Sequence, residues 1–531
     1  MRWIASAIII AAIGLLFGGP VKEYPCTLPG HAEAAANYLC GLPWHDRIYT
    51  RFLTWCAVPQ AKLMQSQTLM RFWLPNLGFN QAVIQPQDVP GTGGTLWAID
   101  IRSYRWNEAS WLTVAQREPY CVIPASAGPH VDLLRLNAGI FDPKVLSFGS
   151  LIRADWLFRE TIETNRSPSY YDLLYSDQRF KFQRVLEKVS YEHLGGRLPS
   201  PHAETCYDAE PGIYTIAFFT PKIDKIVNFP ANAGDFELAF GVKEISDFLK
   251  KQKLFADSGA IIAGHVEDPV RGSMVSRNGR VIKILQTPFG WFSETYDLLD
   301  TSKEDFFEKP EEIPFENFQF DASELLATLP NGGMAGILVA GKEQKRIEIA
   351  TTDLVHMGLV KDPKRGVDVR NVGACFECHG PDYGFIPLDD QFQRALKAGV
   401  KRNIYDKDKY DRLIGFFGLD DLGGWSEKLD MYQRPMKSLL RKTTGLGGAK
   451  PWTGAEMTKA FNEFRNQYDD PLALDQVCRE LGVTEDRFKT VVAKASPSGR
   501  LNWLVVGNQP IARRVWEARQ YEIALRLMRL P

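Results

Sequence analysis

The sequence predicts an α+β protein, with a mixed helix/strand N-terminal portion followed by an all-helical one. Two observations carry this reading. Between about 211 and 350 the apolar residues fall in short β-branched or alternating runs, the period of strands. Beyond residue 379 only short stretches with helical spacing remain, each bounded by Asp, Pro or Gly.

Taken in order, residues 1–20 hold Arg2, an apolar run from Trp3 to Phe17, and the breakers Gly18, Gly19 and Pro20. This is the pattern of an export signal. No convincing small-x-small cleavage site follows, so an uncleaved anchor through residues 3–19 is the alternative. Residues 45–75 read as two helices split near Pro59, with Ile48, Phe52, Leu53 and Cys56 on one face of the first. Thr95–Arg102 alternates as a strand, and Trp106 and Trp111 flank a short helix. Residues 144–195 read as largely helical, with helices at Tyr170–Tyr175 and Lys181–His193.

Strands follow at Ile213–Thr220, Asp235–Gly241, Arg280–Gln286, Leu325–Leu329 and Met334–Ala340, with Asn331-Gly332 as a hairpin turn. One helix, Lys243–Lys251, interrupts them. The helices of the rear portion are Asp389–Ala398, Asp408–Phe416, Arg434–Lys442, Gly454–Gln467, Pro471–Leu481, Glu485–Ala495 and a longest one at 508–529. The glycine-rich Thr443–Lys450 is a connector, because it lacks the strand and the Gly-Lys-Ser/Thr ending of a phosphate loop. The domain scheme is therefore 1–20 signal or anchor, 45–350 mixed α+β, and 365–531 helical.

A formal net charge of −1 over 531 residues argues against nucleic acid as a partner. With 45% hydrophobic residues the chain can bury a sizeable core.

The motif with chemistry in it is Cys375-Phe376-Glu377-Cys378-His379. In C-x-x-C-H the two thiols can add across the vinyl groups of one haem, and the adjacent histidine supplies an axial nitrogen. Zinc would want a second pair of ligands, and none stands at the right spacing. A thioredoxin-like motif would open a long helix, whereas Pro381, Gly384 and Pro387 follow here. Cys375 and Cys378 are thus the thioether anchors of one haem c, and His379 is the proximal iron ligand. The rear portion becomes a cytochrome c-like haem-binding domain.

Export suits this chemistry and the other six cysteines, Cys26, Cys40, Cys56, Cys121, Cys206 and Cys478. They allow three disulfides in any of 15 pairings. Cys26 and Cys40 bracket a Pro/Gly-containing loop and are the first expected bridge.

Several segments resemble a group of large bacterial proteins with one cytochrome c haem motif behind an N-terminal region of several hundred residues. They are Ile99 to Trp106, Arg153-Ala154-Asp155-Trp156, Ser276 to Ile282, Trp291 to Asp297, Glu324 to Gly332 and Asn371 to His379. The similarity spans roughly 45–500. It implies haem binding and electron transfer. Two positions depart from the pattern: Val372 stands where the group has glycine, and Phe385 lies near where it often has methionine.

The sixth iron ligand decides what the iron does. Met436, at Pro435-Met436, is the first candidate, with Met431 the alternative; Met457, His356 and Met357 rank lower, and each has ordinary packing as its competing reading. Asp100 with Arg102, and Arg153 with Asp155, read as structural ion pairs beside tryptophans rather than acid/base pairs. The expected function is an exported mono-haem c-type cytochrome moving single electrons between periplasmic redox partners. The alternatives are a peroxidase-like haem oxidoreductase with an open sixth position, or a haem-based sensor.

Overall fold

The computed structural model describes residues 22–115 (except 44, 45, 47, 48 and 107), 151–162, 181–190, 213–222, 230–243, 261–264, 280–298 (except 288), 318–319, 323–350, 369–379 (except 371), parts of 400–411, 424–495 and 499–528. Within these the fold is α+β, with a mixed front and a helical rear. The expected signal segment, Tyr170–Tyr175, Asp389–Ala398 and nearly all of Lys243–Lys251 and Asp408–Phe416 lie outside the described residues. Among the described residues no helix is long and apolar enough to cross a membrane.

The chain opens with α1 (Leu28–Cys40), capped by the Thr27 hydroxyl accepting from the Gly30 N–H. Next comes a strand, β1 (Thr50–Thr54), where a helix was expected. The reason is burial on both faces. β1 is an inner strand of a four-stranded sheet ordered β2-β3-β1-β4, built with β2 (Gln87–Asp88), β3 (Leu96–Asp100) and β4 (Leu151–Arg153). All five β1 residues are buried, so the alternation that marks a half-buried strand is missing. After Pro59, α2 (Gln60–Trp73) follows as expected and buries Leu63, Ser66, Leu69, Met70 and Trp73 along one face. Trp111 lies inside the next helix, α3 (Glu108–Ala115), rather than beside it. α4 (Ala154–Ile162) continues directly from β4.

Lys181–Ser190 is a strand, β5, and not a helix. It pairs antiparallel over its whole length with β6 (Ile213–Lys222), so a non-local ladder overrides a local 3.6-residue spacing. The reverse error falls at Asp235–Gly241. Asn232 accepts from the Asp235 N–H at 2.9 Å and starts a helix, α5 (Ala233–Ala239), whose Phe236 meets Phe240 at 4.8 Å.

The larger sheet contains β7 (Ile261–Gly264), β8 (Arg280–Thr287), β9 (Gly290–Leu298), β10 (Phe318–Gln319), β11 (Ser323–Thr328), β12 (Met334–Ala340) and β13 (Lys345–Ile347). Its order is β13-β12-β11-β9-β8-β7, with β10 on β9 and every pairing antiparallel. The expected hairpin at Asn331-Gly332 joins β11 to β12 in register from Ser323↔Val339 to Thr328↔Met334. The Asn331 amide donates to the carbonyls of Pro75 (2.7 Å) and Gly78 (3.1 Å), tying the turn to the end of α2.

The Cys375–His379 motif lies in its own helix, α6 (Gly373–His379), and helices follow it. These are α7 (Gly424–Thr444), α8 (Gly454–Asp469), α9 (Leu474–Leu481), α10 (Glu485–Ala495) and α11 (Arg500–Val506). The helix expected over 508–529 starts only at Arg513. Leu472 and Ile511 exchange backbone hydrogen bonds of 2.7 and 2.9 Å, which holds residues before Arg513 extended beside Pro510. Beyond it come α12 (Arg513–Val515), a π turn (Trp516–Gln520) and α13 (Tyr521–Met528).

One apolar cluster runs through both portions, from Leu53 to Met528. Aromatic rings join them directly: Trp55 to Phe464 at 6.2 Å, Phe158 to Phe461 at 5.1 Å, and Trp73 to Phe376 of α6 at 4.7 Å.

The observed disulfide is Cys26–Cys56, replacing the expected Cys26–Cys40. Thr27 caps α1 and Cys40 is its last residue, so a helix of 13 residues separates the two positions. That is about 20 Å, far beyond the reach of a disulfide. Cys121 and Cys206 lie outside the described residues.

Candidate functional site

α6 places Cys375, Cys378 and His379 at i, i+3 and i+4, on one face of a short helix. Its start is strained. Val372 sits at φ 64° and is 1% exposed, a left-handed conformation that β-branched residues avoid. Its carbonyl nonetheless accepts from the Phe376 N–H at 3.0 Å and begins the helix. Glycine, which the resemblance implies here, would hold this geometry without strain.

Two close approaches fix α6 in the core. A Cβ on Gly373 would lie 2.7 Å from the Ile162 carbonyl at the end of α4. A Cβ on Gly336 of β12 would lie 2.8 Å from a Leu326 methyl and 3.5 Å from the Cys375 sulfur. Glycine at 336 therefore leaves room for Cys375, which is 2% exposed, against the sheet. At the other end of α6 the His379 Nε2 lies 3.2 Å from Glu324 Oε2 of β11, both side chains largely buried. The Glu324 backbone N–H donates to the Thr295 hydroxyl at 2.8 Å, which anchors this carboxylate's strand beside β9.

Glu324 is the residue near the motif that sequence reasoning did not select. Its signal was present, since it opens the Glu324–Gly332 segment quoted for the resemblance. Strand periodicity alone gives a glutamate in a strand no role.

Met436 is 7% exposed and belongs to the shared core on α7, beside Leu439 and Leu440. α7 itself packs against β9 and β11, the strand that carries Glu324. Met457 on α8 is wholly buried. The side chains of Cys378 and Met431, together with Phe385, His356 and Met357, lie outside the described residues.

The donor set fits a covalent haem: two cysteines one helical turn apart and an imidazole directly after the second. The same helix is enclosed on the sheet side by Gly336, Leu326 and Glu324. The sheet thus meets the motif helix at two points, Glu324 at His379 and Gly336 at Cys375.

The other conspicuous charged residues form structural pairs, as expected. Arg102 binds Asp100 at 2.5 Å and Asp46 at 2.7 Å, and lies 4.3 Å over the Tyr49 ring. Arg153 pairs with Asp155 and also with Glu480 at 2.9 Å, which in turn holds Arg513 at 2.5 Å. The Trp516 Nε1 donates to Glu480 at 2.7 Å, and Arg513 lies 4.4 Å over Tyr468. Burial raises the Glu480 carboxyl, but Arg153 and Arg513 outweigh it and hold the group below the usual carboxylate range. Glu517, accepting from the Tyr468 hydroxyl at 2.5 Å, is pushed up by burial. The space among Asp155, Gln476, Glu480 and Arg513 admits about one water. This cluster joins β4 and α4 to α9 and α12.

No known protein family, curated protein or solved structure matches the chain.

Proposed function

We propose that the chain is an exported mono-haem c-type cytochrome that passes single electrons between periplasmic redox partners. The observation that carries the reading is Cys375, Cys378 and His379 on one face of α6. In that pattern the first two residues anchor a haem c and the third binds its iron. The bound haem supplies one-electron redox chemistry; the protein's own contribution is to hold and bury it. Trp73 and Phe461 pack on Phe376 between the two cysteines, and Gly336 lets the helix lie close to the sheet. Met436 is the proposed ligand opposite His379, with Met431 the alternative.

A second reading is a haem oxidoreductase with an open sixth position. What favours it is Glu324, a carboxylate from the mixed front portion placed at the motif histidine. A carboxylate hydrogen-bonded at an iron-ligating histidine makes it a stronger donor, which peroxide chemistry at an open opposite position uses.

The purified protein tests both. Covalent haem should survive denaturation and disappear when Cys375 and Cys378 are both changed to serine. Covalent haem in that double variant would overturn the assignment. A low-spin spectrum in both oxidation states, unchanged by carbon monoxide or peroxide, supports the carrier. A high-spin ferric spectrum supports the open-site enzyme and rejects the carrier.

A further inference from the structure

We propose that Cys26, Cys56 and His31, once their disulfide is reduced, form a zinc site separate from the haem motif. Their ligand atoms lie within 4.8 Å of one another. The Cys56 sulfur stands 3.5 Å from each His31 ring nitrogen. In tetrahedral zinc, bonds of about 2.3 Å to sulfur and 2.0 Å to nitrogen separate the two ligand atoms by roughly 3.5 Å. Cys56 and His31 are thus close enough to share one ion once the ring turns a nitrogen toward the sulfur and the two sulfurs part.

The scaffold is built from independent elements. Cys26 precedes the Thr27 cap of α1, and the His31 N–H donates to the Thr27 carbonyl at 2.9 Å in that helix's first turn. Cys56 follows β1, and its N–H donates to the Thr54 hydroxyl. His31 is wholly buried, with Nδ1 2.8 Å from the Thr54 hydroxyl and Nε2 3.0 Å from that of Thr95. The two threonines hold the ring in the core; a metal ion would replace one of these hydrogen bonds while the other keeps the imidazole oriented. Burial also lowers its pKa to about 4, so the ring is neutral and ready to ligate at ordinary pH.

The chemistry balances with a dithiol as reductant. Its thiolate attacks the exposed Cys26 sulfur, Cys56 leaves as the thiolate, and a second exchange releases Cys26 while the reductant becomes a disulfide. The disulfide has then taken up two electrons and two protons. Zinc displaces both thiol protons and binds two thiolates and one imidazole, leaving a fourth position for water. The oxidised pair binds no metal, so occupancy follows the thiol poise of the compartment.

Cobalt titration of the full-length protein tests this. The oxidised protein is compared with the same protein reduced by a phosphine that is then removed without oxygen. Reduction should add one equivalent of Co²⁺ with a thiolate charge-transfer band and tetrahedral visible bands, both displaced by Zn²⁺. His31→Gln, which leaves the disulfide intact for folding, should weaken that equivalent by roughly tenfold or more. Absence of added cobalt on reduction would overturn the site. So would cobalt that survives His31→Gln unchanged, because that metal would not use the histidine.

Discussion

Glu480→Ala is the perturbation that bears hardest on how the two portions are joined. Glu480 is buried among Arg153, Arg513 and Trp516, and the Arg153 and Arg513 side chains are only 4% and 7% exposed. Alanine removes the carboxylate that both guanidiniums share and leaves two cations in a poorly solvated space. Losing one partner of such a buried pair costs about 3–5 kcal/mol, well above the 1 kcal/mol or less of an exposed one. Asp155 still faces Arg153, so the expected loss is about 3 kcal/mol.

Urea unfolding followed by circular dichroism and tryptophan fluorescence reads this as a lower midpoint at unchanged slope. Glu480→Gln keeps an acceptor for Trp516 and should fall between wild type and alanine. The pH dependence gives a second check. Because the folded pKa lies below the unfolded value of 4.5, the stabilisation is complete above 4.5 and fades as pH falls through the folded value. The gap between wild type and Glu480→Gln should therefore narrow below pH 4.5 and stay constant above it. A loss under about 1 kcal/mol for Glu480→Ala, or a gap that widens in acid, would refute the reasoning.

Two further outcomes follow from the geometry. Val372→Gly relieves a left-handed backbone worth about 1–2 kcal/mol while deleting a buried isopropyl group of similar value, so stability should change by less than about 1 kcal/mol. Val372→Ala loses the burial with less relief and should be the weaker of the two by thermal melting. Asn331→Ala strips two buried carbonyls, of Pro75 and Gly78, of their donor and should lower stability by about 2–3 kcal/mol; a neutral result would mean that the β11–β12 turn is not held by that amide.

How much of this was legible in the sequence differs by element. The β11–β12 hairpin was readable because its turn residues and strand periods act locally. Helix α10 was found to the residue for the same reason, since Glu485, Asp486 and the apolar spacing define it alone. β1 was missed because Thr50, Arg51 and Thr54 are buried along with Phe52 and Leu53, so polarity along it does not mark which face is exposed. β5 was missed because its state depends on a partner strand more than twenty residues away. α5 could have been found, as Asn232 followed by Asp235 is a visible cap signal that the alternation of Phe236, Leu238 and Phe240 obscured. At the candidate site the three motif residues were legible from spacing alone. Glu324 and Gly336 were not, since their importance comes from the distance at which the sheet meets α6, which a one-dimensional pattern does not contain.

Cys375 lies 2% exposed behind Leu326 and Gly336, and that burial dictates an order of events. No reagent of haem's size reaches the sulfur once β11 and β12 have closed over α6. A thioether bond at this sulfur, as proposed above, would have to form before the sheet docks. A thiol-labelling time course during refolding would then show Cys375 reacting early and becoming inert as the native state forms. Burial of this sulfur and docking of the β11–β12 hairpin are in this sense one event.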